Sequence, residues 1–149
     1  MSFAREVKKE LLGIDNLRCC QNAEFAGILH LLAEVGISFQ GLSISLKTPI
    51  NSVIRHLLPI FKHKYGLDGE LGYKVGNGLK TQKYYYLVYT NVPSKIVEEY
   101  HLLPLDSFMV TDEIFDNECC KSSFVRGCFI AKGSINDPRK NCYHFEISS

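Results

Sequence analysis

Six cysteines are the residues of this chain best suited to chemistry, at positions 19, 20, 119, 120, 128 and 142. Four of them form two adjacent pairs, Cys19-Cys20 and Cys119-Cys120. Thiolates bind soft metals and react with oxidants. The usual announcement of a zinc site, C-x-x-C spacing, is absent. Each pair is followed at the same interval by a glycine, Gly27 or Gly127, inside an apolar run. If two helices carrying the pairs run side by side in the same sense, their four thiols meet near the N-termini. Adjacent cysteines seldom share one metal ion without strain. The pairs are therefore read as small buried hydrophobes that help helices pack, and no metal and no cofactor is expected.

The other polar residues form no catalytic pattern. His30 sits within an apolar segment, and His56, His63, His101 and His144 make no ligand cluster in sequence. "GNGLKT" lacks the spacing of a phosphate-binding loop. Charge is more informative. Lys47, Arg55, Lys62, Lys64, Lys74, Lys80 and Lys83 face only Asp68 and Glu70 in their stretch, whereas the stretch from Glu98 to Glu118 contains no lysine or arginine. Such asymmetry marks a candidate nucleic-acid face, although the net charge of +1 gives no bulk case for one.

The elements that must position these residues follow from periodicity. Phe3, Val7 and Leu11 share a face of a helix over Ser2 to Leu12. Cys20 to Val35 reads as a helix buried on several sides, stopped by Gly36. A hairpin is expected from Ile37 to Lys47. Thr48 then caps a helix with Pro49 in its first turn, kinked or interrupted at Pro59 and closed by Gly66. A second hairpin joins Leu71–Val75 to Gln82–Thr90, and a short helix follows from Pro93 to Tyr100. After an acidic connection, a helix covers Cys119 to Lys132 and a last hairpin turns around "DPRKN". The order α-β-β-α-β-β-α thus restarts at Cys119 as α-β-β, the mark of an internal duplication. The second copy lacks its later elements, so the chain is expected to be a fragment or a natural truncation.

A glycine inside a helix costs about 1 kcal/mol relative to alanine. Ala23 and Gly27 share one helical face, as do Ser123, Gly127 and Ala131. Such flat stripes let helix backbones approach closely. Gly27, Gly127 and Ala131 are accordingly candidate interface residues, with Gly27 facing Gly127 across a pseudo-twofold axis.

These residues resemble a known motif. "VRGCFIAKGSI" (125–135) is similar to the LAGLIDADG motif of homing endonucleases, with Gly127 on its first glycine, Ala131 on its later alanine and Gly133-Ser134-Ile135 on its close. "FAGILHLLAEVGI" fits more loosely through Phe25-Ala26-Gly27. The opening "MSFAREVKKEL", the Cys-Cys before each motif helix, "SFVRGCFIAKGSINDP" and the ending "YHFEIS" resemble the WhiA family of bacterial DNA-binding regulators over the whole chain. That resemblance implies an α+β LAGLIDADG-like fold with antiparallel, saddle-shaped sheets. It implies one degenerate domain over 1–149: an N-terminal helix (1–18), a first repeat (19–103), an acidic linker (104–118) and a partial second repeat (119–149). WhiA proteins join this domain to a C-terminal helix-turn-helix domain and are implicated in sporulation or cell-division control in Gram-positive bacteria. A cytoplasmic, nucleoid-associated protein is expected, with no membrane partner.

The endonucleases carry a carboxylate at the end of each motif helix to hold divalent metal against phosphate. The matching positions here are Leu32 and Lys132, which cannot do so. Glu34 lies two residues further on, rotated about 200° around a helix, and would approach the axis only if the helix ends before it. No enzymatic activity is expected. Double-stranded DNA is the expected partner, mainly through the helix-turn-helix domain. In this domain Lys62, Lys64, Lys74, Lys80 and Lys83 are candidate DNA contacts, helped by Tyr84 and Tyr86, and Lys132, Arg139 and Lys140 extend them. The alternative is a module that docks other proteins.

Overall fold

The computed structural model of the chain describes residues 3–14, 18–76, 83–100, 102, 118–135, 139 and 144–147, with backbone only at 18, 19 and 118. Residues 104–117 of the expected acidic linker, the loop holding Lys80, and Lys140 lie outside the described residues. Two compact units are formed, Met1–Leu31 with Met109–Ser149, and Leu32–Phe108. The element order is α1 (Phe3–Leu12), α2 (Arg18–Leu32), β1 (Glu34–Ser38), β2 (Gly41–Thr48), α3 (Asn51–Tyr65), β3 (Glu70–Val75), β4 (Lys83–Val92), α4 (Ser94–Glu99), α5 (Glu118–Lys132), β5 (Gly133–Ile135) and β6 (Phe145–Ile147). From α2 this is the expected α-β-β-α-β-β-α followed by α-β-β. No helix among the described residues is long and apolar enough to cross a membrane.

The Leu32–Phe108 unit is built on an antiparallel sheet of order β1-β2-β4-β3. Alternation along a strand sends Ile44 and Leu46 of β2, and Leu87 and Tyr89 of β4, to one face, where all four are buried. Val53, Ile54, Leu57 and Phe61 of α3 are buried too, as are Ile96 and Val97 of α4. The rings of Phe61 and Tyr89 lie 4.2 Å apart. A bulge keeps this pattern to the end of β4. Ile44 pairs with Tyr89 and Leu42 with Val92, so Thr90 and Asn91 together oppose Ser43. Asn91 absorbs the extra residue in the left-handed region (φ 53°), which returns Val92 to the buried face.

Two boundaries and one helix interior differ from expectation. Helix α2 ends at Leu32, and Gly36 lies within β1 opposite Ser43 instead of stopping the helix. Val35 and Ile37 are β-branched, and pairing with β2 satisfies their backbone where further helix would leave it unpaired. Thr48 ends β2 opposite Tyr85, so Ile50 takes the cap position of α3. The Thr48 hydroxyl oxygen still accepts a hydrogen bond from the Ile50 N–H at 3.3 Å. Helix α3 runs through Pro59 without interruption and closes at Gly66, whose φ of 65° and N–H to the Lys62 carbonyl make a left-handed cap.

In the other unit, α2 is buried without a break from Ala23 to Leu29. Hairpin β5–β6 pairs Gly133 with Ile147 and Ile135 with Phe145. Phe145 stacks on Phe129 of α5 at 5.4 Å.

Candidate nucleic-acid interface and the motif-helix pair

Helices α2 and α5 run side by side in the same sense: Cys20, Ala23 and Cys120 form one buried cluster near their starts, packed by Phe124, and the two glycines meet further along. A Cβ added at Gly127 would strike the Glu24 backbone, 2.9 Å from its carbonyl carbon. One added at Gly27 would strike the Phe124 carbonyl and come within 3.0 Å of the Cys128 nitrogen. The two contacts are reciprocal: each glycine faces the residue three before the other. That reciprocity is what a local twofold between repeats produces. Ser123 and Ala131, on the same face of α5 as Gly127, are also buried.

Polar groups close the interface. The Arg126 Nε donates to Glu24 Oε2 at 2.9 Å, with the Glu24 side chain only 3% exposed and Arg126 17%. Arg126 also reaches the Ser123 hydroxyl at 3.3 Å. The Cys128 thiol lies 3.8 Å from the Gly27 carbonyl, and burial pushes its pKa up to about 11. The ring of His30 meets Phe124 edge-on at 5.9 Å. Neither the Glu24–Arg126 pair nor its burial was legible beforehand, because the partners are far apart in sequence.

At the end of α5 the position of the nuclease carboxylate holds Lys132, exposed. Its neighbourhood is cationic. Lys8 of α1 is 8% exposed, with its ammonium 5.8 Å from the centre of the Phe129 ring. Burial, then Lys132, then Arg5 lower its pKa. Burial of Lys8 is not legible in the sequence. The only signal was the place of Lys8 three residues before Leu11, on the apolar side of α1. Leu32 is apolar and buried, and Glu34 is an exposed residue of β1.

The second face of the four-stranded sheet carries no buried residue among those described. Registry assigns its members. Lys74 pairs with Tyr84, Gly72 and Lys47 with Tyr86, and Glu70 and Ser45 with Val88. Lys47, Lys74, Tyr84 and Tyr86 thus share this open face, and the Lys47 ammonium sits 4.3 Å over the Tyr84 ring. Glu70 stands at one side of it and Glu34, opposite Ser45, at the other. Lys83 pairs with Val75, one register step off, so it belongs to the opposite face from Lys74.

Lys62 and Lys64 are engaged elsewhere. Lys62 is ion-paired to Asp68 at 2.9 Å on the surface. The half-buried Lys64 lies 3.5 Å from Glu99 and donates to the Tyr100 hydroxyl at 2.6 Å. The Tyr65 hydroxyl is 2.9 Å from both Glu99 and Tyr100, and burial raises the pKa of both tyrosines. Arg139 is exposed.

Paired glycine-bearing helices, each leading into an antiparallel hairpin, define a LAGLIDADG-like domain. Residues 18–103 match the family model of the WhiA N-terminal LAGLIDADG-like domain, and residues 121–149 match the WhiA LAGLIDADG-like domain model. The chain belongs to the WhiA family. It is 33% identical over 152 aligned positions to the "Probable cell division protein WhiA" of Bacillus cereus (strain B4264), covering 100% of this chain and 48% of that protein. The same figures hold for the protein of that name from Bacillus anthracis (strain CDC 684 / NRRL 3495). The chain therefore spans about half the length of the curated relatives it matches. The crystal structure of the N-terminal LAGLIDADG domain of DUF199/WhiA superposes with a TM-score of 0.67 at 21% identity, covering 98% of this chain and 65% of that one. Full-length DUF199/WhiA from Thermatoga maritima gives 0.67 at 21%, covering 99% and 44%. Both likenesses bear on the fold.

Proposed function

We propose that this chain is the non-cleaving, DNA-contacting part of a WhiA-type transcriptional regulator acting in bacterial cell division or sporulation. The observation that carries the reading is the open sheet face, where Lys47, Lys74, Tyr84 and Tyr86 stand together. Lysine ammonium and tyrosine hydroxyl groups bind phosphate oxygens, which sets register on a duplex without reading its sequence. The positions that would hold catalytic metal argue against cleavage. Leu32 offers no ligand, and Lys132, with Lys8 near it, repels a divalent cation. The relatives' name, a probable cell division protein, supports the biological setting. Sequence-specific readout would belong to a helix-turn-helix domain of the kind the family joins to this one.

The test is binding of the chain to duplex DNA as a function of salt. A phosphate-contacting face gives a log–log slope of about −0.9 per phosphate neutralised. Binding that is absent, or flat with salt, sinks the reading. A second reading has its own support: Leu71, Tyr73 and Val75 are exposed on the edge strand β3, a surface suited to a protein partner. Failure of DNA binding would favour it.

A further inference from the structure

The Cys-Cys pairs remain unused by this account. The sulfur atoms of Cys20, Cys119 and Cys120 all lie within 4.8 Å of one another, two of the residues buried and Cys119 exposed. We propose that these three thiols, gathered among the described residues, form a binding site for a thiophilic divalent cation of the zinc type.

Geometry is the first argument. Tetrahedral coordination with metal–sulfur bonds of about 2.3 Å sets the sulfurs about 3.8 Å apart. The three sulfurs need to close by at most about 1 Å to reach that spacing. Successive residues on a regular helix diverge by about 100°, which argues against Cys119 and Cys120 sharing a ligand. Their proximity in the structure removes that objection, because both reach toward Cys20 from the first turn of α5.

Charge is the second argument. Three thiolates around a divalent cation leave a net charge of −1. Cys20 lies in the first turn of α2, and Cys119 and Cys120 in the first turn of α5. Each helix start carries roughly half a positive charge, so two starts together offset that residual charge. The same helix ends present backbone N–H groups that can donate to bound sulfur. The metal would thereby tie the two motif helices together at their N-termini. Packing alone explains small residues at these positions, but it does not require three thiols converging with one of them at the surface.

Cobalt titration of the reduced chain tests this, since cobalt–thiolate charge transfer reports ligation directly. One equivalent per chain is expected, displaced by one equivalent of zinc. Replacing a group that only supports a ligand costs 10–100-fold in affinity, so Cys119→Ser should weaken binding by about 100-fold or more. Cys119 is exposed, so this variant keeps its fold; circular dichroism checks that. Cys128→Ser, outside the cluster, should bind as the parent does. No charge-transfer band in the reduced parent overturns the site. So does equal affinity in Cys119→Ser, or equal loss in Cys128→Ser.

Discussion

Gly127→Ala should destabilise the protein even though alanine is the better helix former. The new methyl carbon would lie 2.9 Å from the Glu24 carbonyl carbon and 3.1 Å from its Cα. These are backbone atoms of a buried helix, so no side chain can swing aside to relieve the clash. The helices must move apart, loosening the Cys20–Ala23–Cys120 cluster and the Arg126–Glu24 pair. Forced overpacking costs about 3 kcal/mol at the upper end. Helix propensity offsets about 1 kcal/mol of this, leaving a net loss of about 2 kcal/mol. For a domain of this size the midpoint should fall by roughly 4–8 °C. Gly127→Leu, with a far larger side chain, should not fold. Gly72→Ala is the control, since nothing lies within 4 Å of its added methyl. It should be neutral or stabilise by about 0.5 kcal/mol. Thermal and urea unfolding followed by circular dichroism decide the matter. If Gly127→Ala matches or exceeds the parent in stability, the close approach of α2 and α5 is refuted.

Removing the guanidinium in Arg126→Ala should cost about 3 kcal/mol, because Glu24 stays buried beside the gap. The Glu24→Gln/Arg126→Met double variant should lose less than its single changes combined, as read by urea unfolding. The Cys128 pKa is raised by burial from 9.0 to about 11, so the folded state holds this proton more tightly than the unfolded state. Its contribution is present below about pH 9 and is lost as pH rises toward 11. Unfolding midpoints across that range should fall less steeply in Cys128→Ala than in the parent. With Mg²⁺ or Mn²⁺ present, plasmid DNA should stay intact; cleavage lost in Glu34→Gln would reverse the assignment of a non-cleaving domain.

The element order was legible because strands and helices leave different apolar periods. "YYYLVY" can hardly be anything but a strand, and the small residues at Ala23, Gly27, Ser123 and Gly127 mark a helix face. The candidate interface was legible only in part. Lys74 and Lys83 look equivalent in sequence, and only the β3–β4 register separates their faces. Lys64 looks like a surface cation, yet Tyr100 and Glu99, distant in sequence, hold it. Lys47 counted only toward the basic excess until pairing with Tyr86 set it on the open face. Where Gly36 sat was also hidden. A glycine after an apolar helical run reads as a stop, and pairing with β2 overrides that local cue.

The open sheet face is tested most directly by comparing two double variants in the salt dependence of duplex DNA binding. Lys47→Ala/Lys74→Ala removes the two lysines that the described strands place on that face, whereas Lys62→Ala/Lys64→Ala removes two that are held by Asp68, Glu99 and Tyr100. The account predicts that the first variant flattens the log–log slope by about 2 and the second leaves it near that of the parent. An unchanged slope in the first variant, or an equal loss in the second, would contradict it.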